Sequence, residues 1–195
     1  MMKQIKIILL VLMAMTVSSC GINSIPTFEE AAKAQWSQVL NQYQRRTDLI
    51  PNLVETVKAY AAHEQETLTA VVEARAKATQ LTIPKDILTN PAAFSAFQAN
   101  QDGLGAALGK LMVVVERYPD LKADKNFLTL QSQLEGTENR IAVARRDYII
   151  AVQEFNTEIK TFPGRLWHSL MYSDSEYMQQ FEITAAAETA PSVSF

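Results

Sequence analysis

Apolar residues recur at spacings of three and four along most of this chain, and their phase predicts long helices and no strands. Ala32, Trp36, Val39, Leu40 and Tyr43 share one face of a first helix over 28–47. Thr27 and Glu30 have the spacing of a capping box at its start. Pro51 then leaves two readings open. Proline in a helix interior costs about 3 kcal/mol, whereas in a first turn its missing N–H costs little. Asp48 can therefore cap a second helix after a chain reversal, which is the preferred reading. The competing reading is one long helix kinked at Pro51, because Ile50, Val54, Val57, Ala61, Leu68 and Val71 continue the earlier phase.

The second helix is expected to fade at 79–81, before a polar loop with Pro84 and Pro91. Asn90 or Pro91 can open a third helical stretch, striped by Leu104, Leu108, Leu111, Val115 and Tyr118. Gly103, Gly105 and Gly109 within it suggest close helix–helix approach, with a locally soft helix start as the alternative, since glycine in a helix costs nearly 1 kcal/mol against alanine. After a turn at 119–122, Asp124 caps the longest run. Phe127, Leu130, Leu134, Thr137, Ile141, Ala144, Tyr148, Val152, Phe155, Ile159 and Phe162 form a seam with the periodicity of bundle packing. Pro163 and Gly164 end it. Glu138, Asn139 and Asn156 near the seam read as buried hydrogen-bonded groups, and Tyr60, Tyr118, Tyr148 and Trp36 as core.

The first residues are an address. Lys3 and Lys6 precede an unbroken apolar run at 7–15, too short for the roughly 20 residues of a spanning helix. That pattern reads as a signal peptide over 1–19. Val17-Ser18-Ser19-Cys20 is similar to a bacterial lipobox, in which the cysteine is diacylated and becomes the mature N-terminus. Cys20 is the only cysteine in 195 residues, which favours lipidation over chance. Lipid chains contribute ~0.8 kcal/mol per buried CH₂, enough for stable anchoring with two or three chains. Gly21 follows instead of an aspartate, which favours the outer membrane, periplasmic side; the outer face of the inner membrane is the alternative. Residues 20–26 form a short tether, 27–163 the helical domain and 164–195 a tail packing on it.

Composition removes several function classes. The formal charge of −3 and sequence pI of about 5.5 lack the basic footprint of a nucleic-acid binder. With His63, His168 and Cys20 as the whole complement of histidine and cysteine, a Cys/His metal cluster or catalytic triad has no residues to draw on. The carboxylates Glu64, Glu66, Glu73, Glu135 and Glu138 lack the Glu-x-x-His pairs of a di-iron bundle. No cofactor, metal or catalytic residue is expected. Arg45 and Arg46, with Asp48 and Asn52, form a candidate docking patch at the Pro51 junction. The bland alternative is a solvated arginine pair with one member bridged to an acidic side chain. Val193-Ser194-Phe195 reads as an extended strap on the bundle.

The blocks RRTDLIPNLVETVKAYAAHE, VVEARAKA, VVVERYPDLKADKNFLTLQSQLEGTENRIAVARRDY and AVQEFNTEIKTFP, with the closing PSVSF, resemble the LemA family in order and over nearly the whole chain beyond residue 20. The resemblance implies a cell-envelope protein whose soluble part is an up-and-down four-helix bundle, tethered at its N-terminus. It carries over no catalytic residue. Members are commonly tethered by a transmembrane helix, for which this chain substitutes its lipobox. A magnetosome-associated branch is linked to membrane shaping. The expected function is a non-enzymatic, lipid-anchored scaffold or adaptor meeting an envelope protein partner. The alternatives are a self-associating, membrane-remodelling module and, behind it, an enzyme acting on the cell wall or envelope proteins.

Overall fold

The computed structural model describes residue 4, residues 21–80 and residues 83–182. These form six helices and contain no strand: α1 (Ser24–Tyr60), α2 (Gln65–Gln80), α3 (Pro91–Val115), α4 (Pro119–Lys122), α5 (Lys125–Glu158) and α6 (Gly164–Met171). Apart from residue 4, the signal segment lies outside the described residues, as do Cys20 and residues 193–195. None of the described helices is long and apolar enough to cross a membrane.

α1 and α5 are the frame, about 55 and 51 Å long at 1.5 Å per residue. Three cross-links fix them antiparallel: Ser24 to Glu158 at one end, Arg46 to Glu138 near the middle, and Tyr60 to Asp124 at the other. α2 turns back beside the second half of α1, and α3 packs along α2.

The chain does not reverse at Pro51. α1 continues unbroken through it, and Asp48 sits within the helix with Oδ1 accepting from Gln44. The reversal falls instead at Ala61–Glu64. Two facts account for this. Ile50, Leu53, Val54 and Val57 keep the apolar stripe in phase across the proline, all at most 8% exposed. The missing N–H of residue 51 strands the Thr47 carbonyl one turn earlier, and the Arg75 Nε of α2 donates to that carbonyl at 2.9 Å. A side chain 28 residues away thus replaces the hydrogen bond that proline removes.

The start of α1 also departs from the capping box. The helix opens at Ser24, and the Thr27 hydroxyl donates back to the Asn23 carbonyl at 2.7 Å. Ile25 is fully buried and Ser24 bonds both Gly21 and Glu158, so tertiary contacts extend the helix through part of the expected tether. Glu30 pairs with Lys33 instead. The caps of α3 and α5 do form. Asn90 accepts from Ala92 and Ala93 with Pro91 in the first turn, and Asp124 accepts from Asn126 and Phe127 at 2.9 Å.

Four further expectations are corrected. A Cβ on Gly103 or Gly109 would meet nothing within 4 Å, and one on Gly105 only Arg46 Nη1 at 4.0 Å, so these glycines mediate no close helix contact. Tyr60 is 44% exposed because its hydroxyl reaches out to Asp124, and Glu138 and Asn139 are exposed. The seam of α5 holds from Phe127 to Ile159, but the helix ends at Glu158 and Phe162 is 79% exposed.

After α6, residues 172–182 run without helix over α5 and α3. The Asn156 side-chain amide bonds the Met178 backbone in both directions, Tyr148 donates to the Gln179 carbonyl, and the Gln179 amide donates to Leu88. Phe181 then enters an aromatic cluster with Trp36, Phe94 and Tyr148, ring centroids 5.0–6.0 Å apart. Burial in this cluster pushes the Tyr148 hydroxyl far above its ordinary pKa.

Arg75→Ala should lower stability by about 1–3 kcal/mol in chemical denaturation, through the stranded Thr47 carbonyl. In a Pro51→Ala background the same change should cost much less, because residue 51 then supplies its own N–H. Equal costs in both backgrounds would refute the compensation. A second prediction concerns Asp124. The Phe127 amide, with the Tyr60 hydroxyl and the Asn126 amide, holds its carboxyl below the ordinary value of 3.8. A depressed folded pKa gives stability that is present above the unfolded pKa and lost as pH falls through the folded one. Asp124→Ala should therefore lower the melting temperature at neutral pH, and the deficit should close at pH values below the ordinary carboxylate range.

Candidate functional site

On α1, Tyr43, Arg46, Thr47 and Ile50 follow one another at helical spacing and all face inward. Arg46 thus occupies a core position, 3% exposed, while its neighbour Arg45 faces solvent. Asp48 and Asn52, three and seven positions beyond Arg45, share that outer face and are exposed. The expected patch of four residues therefore splits. Arg45, Asp48 and Asn52 form its outer part, and Arg46 belongs to the interior.

The Arg46 guanidinium bridges three helices. Nη1 donates to both carboxylate oxygens of Glu138 on α5, at 3.1 and 3.3 Å. Nη2 donates to the backbone carbonyl and the side-chain Oε1 of Gln101 on α3, at 3.1 and 2.7 Å. Its carbon lies 5.0 Å from the Tyr43 ring centroid, and its Nε has no partner. Gln101, itself 4% exposed, passes its amide on to the Ala78 carbonyl of α2 at 3.4 Å. Beside this group Arg145 approaches Asp102 at 3.9 Å and lies over the Phe181 ring. Burial raises the Tyr43 hydroxyl above its ordinary pKa, against the opposing pull of Arg145 and Arg46.

This polar layer divides the core. On one side lie Ile25, Trp36, Val39, Phe94, Phe97, Tyr148, Phe155 and Phe181; on the other lie Ile50, Leu53, Val57, Leu104, Leu111, Phe127 and Leu134. Arg46, Thr47, Gln101 and Thr137 are the buried polar residues identified among the described ones, and all belong to it. Burying a guanidinium is costly unless it is paired and hydrogen-bonded. Here the contact of Nη1 with both oxygens of a carboxylate whose own side chain is 45% exposed, together with the Nη2 bonds to Gln101, offsets that cost.

The layer has no reacting group. Among the described residues it holds an arginine, amides, two threonine hydroxyls and a carboxylate already engaged by the arginine, and no base faces a nucleophile. His63 is exposed, Glu64 accepts from Tyr118 and Arg117, and His168 Nε2 meets the Ser175 carbonyl. Among the described residues, no group of three or more His, Cys, Asp or Glu side chains converges on a metal position. Gln101 was absent from the sequence reading. Both it and Arg46 fall in phase with flanking apolar stripes (Phe94, Phe97, Leu104 and Leu108; Tyr43 and Ile50), which is the signal that reveals them.

An all-helical protein with a buried arginine tying its helices together is what the fold defines. This chain belongs to the LemA family, which it matches over residues 35–195. It is 28% identical over 178 residues to magnetosome protein MamQ 1 of Paramagnetospirillum magneticum, covering 81% of this chain and 64% of that protein. It is 26% identical over 184 residues to magnetosome protein MamQ of Magnetospirillum gryphiswaldense, covering 86% and 66%. Protein LemA of Metamycoplasma hominis is 27% identical over 118 residues, covering 60% of this chain and half of that one. The chain thus spans about two thirds or less of the length of these relatives.

The two adjacent arginines should respond differently to the same change. Lysine lacks the planar fork needed to reach Gln101 and Glu138 together. Arg46→Lys should lower stability by about 1.5–3 kcal/mol, and Arg45→Lys should stay within about 0.5 kcal/mol. Equal effects in urea denaturation would contradict the buried role of Arg46.

Proposed function

We propose that this protein is a lipid-anchored, non-catalytic scaffold or adaptor of the cell envelope, its principal helices acting as an up-and-down bundle on the Cys20 tether. The observation that carries this reading is the use of the interior polar groups. The buried charge at Arg46 is consumed by helix-to-helix bonds, and the outward face at Arg45, Asp48 and Asn52 is exposed on a long, braced helix. Such a site holds shape and presents a surface; it does not turn over a substrate. An envelope protein partner meets that outer face. Gly21, standing after the lipobox cysteine in place of an aspartate, supports the outer membrane facing the periplasm, with the outer face of the inner membrane as the alternative.

A second reading, self-association with membrane remodelling, draws support from the relatives named as magnetosome proteins. Photo-crosslinking in intact cells separates the two, with the probe replacing Arg45 and the exposed Gln153 of α5 as control. A discrete partner captured only from position 45 supports the adaptor reading. Adducts solely with other copies of this chain move the assignment to self-association, and equal capture from both positions overturns the docking face. The anchor has its own test. Cys20→Ser should abolish acyl labelling and detergent-phase partitioning, and persistent label would sink the lipoprotein reading.

A further inference from the structure

Four of the large hydrophobic side chains that the described chain exposes fall within ten residues: Phe162 at 79%, Leu166 at 45%, Leu170 at 67% and Met171 at 58%. They are presented rigidly. A Cβ on Gly164 would come within 2.2 Å of the Glu158 carbonyl, so α6 starts hard against the end of α5. Trp167 packs on the core, and His168 ties the helix to the Ser175 carbonyl at 2.8 Å. Leu166 and Leu170, one turn apart, therefore face away from the domain instead of folding back onto it.

Position decides what covers this face. Gly21 lies against Pro163, its Cβ position 3.5 Å from the proline Cγ, and Ser24 bonds Glu158. The apolar face therefore stands at the end of the molecule where the chain leaves Cys20, and the opposite end of the α1–α5 frame carries the Tyr60–Asp124 bond. Whatever membrane holds Cys20 sits beside α6. Arg165 is exposed, but so are Asp174 and Glu176, so the charge around the face is mixed and apolar area dominates.

We propose that Phe162, Leu166, Leu170 and Met171 insert into the interfacial zone of the lipid bilayer, giving the protein a second membrane contact that fixes its orientation beside the tether. This rests on the lipid-anchor reading above. The mixed charge makes the contact insensitive to the fraction of anionic lipid.

The test uses the full chain as cells produce it, reconstituted into phosphatidylethanolamine–phosphatidylglycerol vesicles containing a diazirine phospholipid. Photo-adducts are mapped by peptide mass. Adducts on 162–171 should exceed severalfold those at Val113, which is 72% exposed near the far end of the frame. Leu166→Ser with Leu170→Ser should remove them while circular dichroism stays unchanged. Adducts absent from 162–171, or spread evenly over the exposed apolar residues, overturn the inference. So does protection of this face in a crosslinked dimer, which would assign it to a second copy. The mass of the N-terminal peptide reports Cys20 acylation separately, so an unlipidated N-terminus counts against the anchor while the adduct pattern still decides the role of α6.

Discussion

The Arg46 guanidinium, held between Glu138 of α5 and the backbone and side chain of Gln101 of α3, is the contact on which the rest of the arrangement depends. A buried cation without good partners costs several kcal/mol. Few placements of the three helices satisfy it, and hydrophobic contacts alone tolerate many. α1 and α5 are joined by long apolar stripes whose repeat every turn makes a one-turn slide the competing register. With Arg46 in place such a slide strands a charge. The layer thereby specifies register, while the aromatic cluster on one side and the aliphatic cluster on the other supply most of the burial.

One turn further along α1, the same logic recurs without charge pairing. Pro51 frees the Thr47 carbonyl, and Arg75 bonds it, so the proline that threatens the longest helix also fixes the position of α2 against it. The strap at 172–182 closes the other half, with Asn156 holding its backbone and Phe181 filling the aromatic cluster under Arg145. At Arg75 and Asn156 alike, one polar side chain satisfies a particular stretch of backbone.

The features legible in the sequence were those whose cause lies within a few residues. The Asn90 and Asp124 caps, the apolar seam of α5 up to Ile159 and the end of α2 near residue 80 all follow from local spacing. The features misread have their cause far away in the chain. Pro51 is accommodated by a residue 28 positions on, Arg46 by residues 55 and 92 positions on, and the early start of α1 by Glu158, 134 positions on. Periodicity tells which positions face inward, but not that an arginine at such a position has found partners. Once Arg46 is placed inside, the outward face reduces to Arg45, Asp48 and Asn52.

Native-state hydrogen exchange tests most directly whether the arginine layer couples the two halves of the core. Amides at 46–50, 101–105 and 137–141 should exchange only through the same global opening as those near Trp36 and Val57. Faster exchange confined to those three segments, with the aromatic and aliphatic clusters opening at separate free energies, would contradict the account: the layer would then be a seam between two units.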